Sequence, residues 1–207
     1  MLKPEFKELL KNTGIMLIIT IIAGGILGSV NEMTKGPIAV MEEKNRKEAN
    51  ARVFVNADSF SEDILDKDLM SECLGEEYSG VYITEALEAY DLEGNVLGYV
   101  FEVTSKEGYG GDIVFRIGLQ NDGTTTAIHI TQISETAGLG MKAPEVTVPQ
   151  FVERSAENYE LVKSGAVLDT QINAISGATI TSKAIVKGVN ASLAYFRAIS
   201  EGGVVNE

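Results

Sequence analysis

One cysteine, Cys73, and one histidine, His129, are all that the 207 residues offer of either type. A lone cysteine excludes an internal disulfide, a CxxC zinc site and the thiolate set of an iron–sulfur cluster. A lone histidine leaves little for a histidine metal site. Within AIHITQI it reads as a strand residue that faces solvent or is satisfied in the core. Basic residues are scarce too: 17 Lys and Arg stand against 30 Asp and Glu, a net charge of −13. So acidic a chain is a poor partner for nucleic acid or for an anionic membrane surface. A GxxxxGK[ST] phosphate loop, a dinucleotide fingerprint and a Ser-His-Asp set are all missing. What is present is 44% hydrophobic, enough for one core of ordinary size plus an appendage.

Charge is also missing from residues 12–31, NTGIMLIITIIAGGILGSVN, whose apolar part is just long enough to cross a bilayer as a helix. Small residues stand poorly for signal-peptidase cleavage, whether at Gly25 and Leu27 or at Gly24 and Gly28, so the segment is expected to be an uncleaved transmembrane anchor. Lys3, Lys7 and Lys11 precede it and Lys35, Lys44, Arg46 and Lys47 come after it, so counting basic residues does not set its direction. Long domains translocate largely regardless of charge. The expected topology is therefore a cytoplasmic N-terminus, residues 1–11, and an extracytoplasmic acidic domain carried by a single-pass anchor in the cell inner membrane. Gly24 and Gly28 form a small-xxx-small pair of the kind that seats a partner helix.

Gly36-Pro37 is expected to break the helix between the span and the residues after it. Residues 38–53 are rich in helix formers, with Glu42 to Arg46 and Glu43 to Lys47 at i,i+4, and predict a solvated helix. Residues 56–79 are acidic and irregular; with the preceding helix they make up a linker and variable segment, 32–79. Strand periodicity then sets in with EALEAYD, NVLGYVFEVTS, GDIVFRIGLQ and TTAIHITQI, separated by Glu93-Gly94 and Asn121-Asp122-Gly123, the pattern of an antiparallel meander. A short helix opened by Pro149 comes next, and then an unassigned stretch. A final helix is predicted over 181–199, with Ile185, Val189, Leu193 and Phe196 on the face that packs on the sheet. The expected fold is α+β, one antiparallel sheet with packed helices over 80–200, and a tail at 201–207.

Just before that last helix the chain reads ISGATITS, 175–182, with hydroxyls at Ser176, Thr179, Thr181 and Ser182 around Gly177. Gly177 allows a turn that a side chain would obstruct, and Thr181 or Ser182 is suited to cap the helix. First-turn N–H groups and the helix dipole would also seat a phosphate there. Residue types alone leave both readings open.

The string ISGATITS resembles the flavinylation motif of the FMN-binding domain family, [ST]GAT followed by any residue and a second Ser or Thr. Two further strings, EGYGGDIVFRIGL and SETAGLGMK, are similar to the glycine-rich turn and the ET-[PA]-GLG loop of those domains. In that order behind an N-terminal anchor, they resemble the G subunit of Rnf complexes over nearly the whole chain, with the C subunit of the sodium-pumping NADH:quinone reductase as a close relative. The resemblance implies one FMN per chain, joined by a flavin transferase through its phosphate to Thr179, the threonine of GAT. It also implies that Ser176, Gly177, Ala178 and Thr181 surround the ester, that Glu135, Thr136 and Leu139 lie near the flavin, and that Gly110 and Gly111 allow close approach. The family usually has an acidic residue where this chain has Asn173.

The function so implied is electron transfer within a membrane-bound, ion-translocating ferredoxin:NAD oxidoreductase, with the other membrane subunits of the complex as partners and no independent catalytic site in this chain. The corresponding quinone-reductase protein and a membrane-anchored interaction module without redox chemistry are the alternatives.

Overall fold

The computed structural model describes residues 4–202; Lys3 and the end of the expected tail lie outside the described residues. The chain divides into two compact units, Met1–Lys47 and Glu48–Glu207. Helix α1, Pro4–Val53, supplies the described part of the first unit and the opening of the second. The apolar residues from Ile15 to Met41 are exposed in this chain, and the helix is long and apolar enough to cross a membrane. Farther along, Lys47 pairs with Glu43 at 3.1 Å.

The break expected at Gly36-Pro37 is not there: α1 runs through Pro37. Proline's fixed φ is already helical, and its cost lies in the lost N–H and the crowding of the residue before it. Here that residue is glycine, which has no Cβ to crowd.

In the second unit, strands β1 (Ser59–Phe60), β2 (Val81–Tyr90), β3 (Val96–Ser105), β4 (Ile113–Gln120) and β5 (Thr125–Gln132) pair in that order, every pair antiparallel. This is the expected meander, with one short strand added at its edge. Helix α2, Lys67–Leu74, also lies in the stretch to which the acidic pattern assigned no structure. Its Asp66 accepts hydrogen bonds from Asp68 N–H at 2.9 Å and Leu69 N–H at 3.0 Å, a side-chain N-cap. Leu74 and Tyr78 are buried in the main core. The acidic residues therefore organise turns around a small apolar anchor, and the compact unit begins at Glu48, ahead of the expected boundary at 80.

After β5 the chain passes through a 3-10 turn, Gly140–Lys142, helix α3, Ala143–Val146, and a second 3-10 turn, Val148–Gln150. Pro149 lies inside the second 3-10 turn and opens no longer helix. Strands β6 (Glu160–Val162) and β7 (Gln171–Asn173) form a separate parallel pair. The last helix, α4, runs Thr179–Gly202, starting two residues before the expected position.

The two faces of the sheet are filled differently. Phe101, Phe115, Ile113, Ile117 and Leu119 point to one face and pack with Ile185, Val189, Leu193 and Phe196 of α4, the face predicted for that helix. Gly188 allows the close approach, since a Cβ there would sit 2.8 Å from Phe115 Cζ. On the other face Val53 and Phe54 pack with Leu87, Ala89 and Val100. Beside them Arg116 is buried, its Nη2 lying 2.6 Å from both Glu85 and Glu102, while its Nη1 donates to Asn50 Oδ1 at 2.5 Å.

Candidate functional site

The segments ahead of β4, after β5 and ahead of α4 meet at one cavity of about 520 Å³. Its lining is Tyr109 from the glycine-rich turn, Glu135, Thr136, Leu139 and Gly140 from the loop after β5, and Gly177 through Thr181 at the start of α4. The loop after β5 is closed by the Thr136 carbonyl, which accepts N–H bonds from Leu139 at 3.1 Å and Met141 at 3.3 Å. Gly138 sits at φ +79 and Gly177 also at φ +79, where any other residue would be strained. Around Gly177 a Cβ would lie 3.2 Å from Leu139 Cδ2, so the Leu139 side chain of the other loop packs on bare glycine backbone.

The hydroxyls of ISGATITS have different fates. Ser182 is buried, donates from Oγ to the Ala178 carbonyl at 3.1 Å and accepts the Ile175 N–H at 3.0 Å. Thr181 is buried as well and donates to Glu135 Oε2 at 3.0 Å. It is thus not the helix cap expected of it: α4 begins at Thr179, so Thr181 lies inside the first turn with its hydroxyl turned to another loop. Ser176 is exposed but lies outside the cavity lining. Thr179 is exposed, lines the cavity, and its hydroxyl makes no hydrogen bond to another described residue.

Backbone donors gather at the same place. The first helical bond of α4 runs from Ser182 N–H to the Ala178 carbonyl at 3.1 Å, which leaves the N–H groups of Thr179, Ile180 and Thr181 without intrahelical acceptors. Together with the dipole they favour an anion. Leu139, Ile180 and Tyr109 add apolar and aromatic surface to the walls, and Tyr109 is 71% exposed at the rim. A phosphate end with a flat, largely apolar ring system fits this combination of donors, free hydroxyl and apolar wall.

The structure gathers most of the sequence-predicted residues, with two exceptions besides Ser176. Gly110 and Gly111 do not line the cavity. A Cβ on Gly110 would overlap the Ser134 carbonyl oxygen, so this glycine serves contact between two stretches of backbone. Tyr109, Gly140 and Ile180 line the site without having been singled out by sequence; each lies inside one of the three motif strings, which was the available signal. His129 is a strand residue, as its setting implied. Burial and the neighbouring Arg52 guanidinium, 3.5 Å away, push its pKa below the ordinary value. Among the described residues no group of acidic, histidine or cysteine side chains is placed to hold a metal.

The chain is similar to known proteins. The family model described as FMN-binding domain matches residues 108–194, which span all three cavity segments. The G subunit of the Na(+)-translocating ferredoxin:NAD(+) oxidoreductase complex of Acetobacterium woodii is 33% identical over 201 residues, 95% of this chain and 96% of that protein. The G subunit of an ion-translocating oxidoreductase complex of Methanosarcina acetivorans is 29% identical over 199 residues, covering 94% of this chain and 97% of that one. A crystal structure of Shewanella oneidensis NqrC aligns over 74% of each chain at 14% identity and a TM-score of 0.48. On the strength of near-complete coverage and the domain match, the chain belongs to the G-subunit family of ion-translocating oxidoreductase complexes and carries its FMN-binding domain.

Proposed function

We propose that this chain is the electron-transfer subunit of a membrane-bound, ion-translocating ferredoxin:NAD oxidoreductase, carrying one FMN bonded through its phosphate to Thr179. The carrying observation is the sorting of hydroxyls at the α4 start: Thr181 and Ser182 are buried and bonded, whereas Thr179 faces the cavity unbonded. In the attachment, the Thr179 hydroxyl oxygen bonds to the flavin-side phosphorus of a flavin adenine dinucleotide donor, the pyrophosphate bond breaks, and AMP leaves with the hydroxyl proton, so that the chain gains one FMN less one water. The bound flavin supplies reversible electron transfer. For its part, the chain would hold the phosphate with the first-turn N–H groups of α4. Leu139, Ile180 and Tyr109 would supply apolar surface for the ring, with Tyr109 exposed at the rim.

A covalent bond suits a carrier on the outer side of a membrane, where a dissociating cofactor would be lost. The long apolar helix α1 supports anchoring, and we place the second unit on the extracytoplasmic side with the other proteins of the complex as neighbours. Protease added to intact spheroplasts should digest that unit; protection there with digestion in inverted vesicles reverses the topology.

Coexpression with a flavin transferase tests the attachment. Intact mass should rise by one FMN less water, mapping to the peptide that contains Thr179, and Thr179→Ala should abolish the gain. Flavin retained in Thr179→Ala but lost in Thr181→Ala would move the bond to Thr181. A chain that never takes flavin would be a membrane-anchored module without redox chemistry.

A further inference from the structure

The Glu135 carboxylate joins three segments that are distant in sequence. Oε1 accepts the N–H of Tyr109 at 2.8 Å and of Gly110 at 3.3 Å, and Oε2 accepts the Thr181 hydroxyl at 3.0 Å. An ionised carboxylate only accepts, so all three donors are oriented by it. Glycines enclose the junction. At Gly140 a Cβ would lie 2.6 Å from Thr181 Oγ1 and 2.8 Å from Glu135 Cβ, and at Gly108 one would lie 2.8 Å from Glu135 Oε1. Thr181 itself is only 1% exposed, which makes its hydroxyl unsuited to be an acceptor of flavin and suited to be a fixed strut.

Helical geometry says what the strut does. Thr179 and Thr181 are two residues apart, about 200° around the helix axis at 3.6 residues per turn. Fixing Thr181 against Glu135 therefore sets the rotation of the first turn, and with it the direction in which Thr179 and the free N–H groups face. We propose that Glu135, acting through Thr181, is a positioning residue for flavin attachment: the pair assembles the glycine-rich turn, the loop after β5 and the start of α4 before any flavin is present. This rests on the reading of Thr179 as the attachment residue. It also gives a reason for a hydroxyl two positions after that threonine, beyond capping: the carboxylate needs a donor there.

Full-length chain purified in detergent without flavin is the material for the test, with initial rates of FMN incorporation by a flavin transferase supplied with flavin adenine dinucleotide read by intact mass. Thr181→Val keeps the shape and removes the donor; Thr181→Ser keeps the donor and removes a methyl. Thr181→Val should slow incorporation about tenfold or more, as for a lost hydrogen bond to a charged acceptor, while Thr181→Ser stays within about threefold of the parent. A purely packing role predicts the reverse order, and that order overturns the proposal, as do equal rates for Thr181→Val and parent. As a second readout independent of attachment, Glu135→Ala in the unloaded chain should raise amide hydrogen exchange both at 108–111 and at 177–183. Unchanged exchange at the second segment overturns the coupling. If the parent chain itself takes no flavin while a known substrate of the transferase does, the attachment reading fails, a result distinct from any difference among the variants.

Discussion

Ile18 in α1 is 57% exposed and Ile117 in β4 is fully buried, although both are isoleucines in regular, hydrogen-bonded backbone. In the second unit the apolar side chains of the sheet find their cover within the chain, under α4 on one face and under Val53 and Phe54 on the other. Among the described residues of the first unit, the large apolar side chains on every side of the helix are exposed. The glycines show the same division. A Cβ added to Gly24, Gly25 or Gly28 meets nothing within 4 Å, whereas one on Gly188 strikes Phe115. Apolar burial stabilises only through what replaces water around a side chain, so one unit carries its own interior and the other requires an apolar surrounding.

The contrast is broken most forcefully from the first unit. Ile18→Arg combined with Ile22→Arg should cost about 2.5–3.5 kcal/mol of insertion free energy per residue and move the chain from the membrane pellet to the supernatant. The same pair should leave the urea midpoint of the sheet unit unchanged; full retention in the membrane would show that another segment holds it there. Phe115→Ala makes the reciprocal test. Losing a fully buried ring should remove about 3–5 kcal/mol from unfolding of the second unit while membrane retention is unaffected. A smaller effect sharpens the comparison of glycines. Gly188→Ala sets an overpacking cost of about 1–3 kcal/mol against a helix-propensity gain of about 1 kcal/mol, a net loss of about 1 kcal/mol read from the urea midpoint. Gly24→Ala should leave that midpoint where it was.

How far the sequence revealed these features depends on how local each one is. The four long strands are legible because alternation and turn residues such as Asn121-Asp122-Gly123 act over a few positions. The interior face of α4 is legible from Ile185, Val189, Leu193 and Phe196 for the same reason. Continuity of α1 through Pro37 was hidden because proline's propensity cost is a local signal that a glycine neighbour weakens. Helix α2 was hidden because Asp63 and Asp66 look like solvent-facing acids but accept backbone N–H bonds from Leu65, Ala86, Asp68 and Leu69. At the site, residue types mark glycine turns and hydroxyls ahead of a helix but leave a helix cap and a phosphate seat both open. Which hydroxyl stays open does not show, because the partner of Thr181 lies 46 positions away at Glu135.

Arg116, fixed between Glu85, Glu102 and Asn50, also constrains how the protein is able to vary. Replacing the arginine alone leaves two acidic groups against the sheet without their cation, and replacing one glutamate alone leaves the guanidinium short of an acceptor. Single steps away from this arrangement are thus costly, while concerted exchange for apolar residues of similar volume is far less so. The effects of substitutions at 50, 85, 102 and 116 are accordingly non-additive. Among descendants of this chain these positions are expected to change as a set, marking the sheet face beneath the end of α1 as an epistatic block.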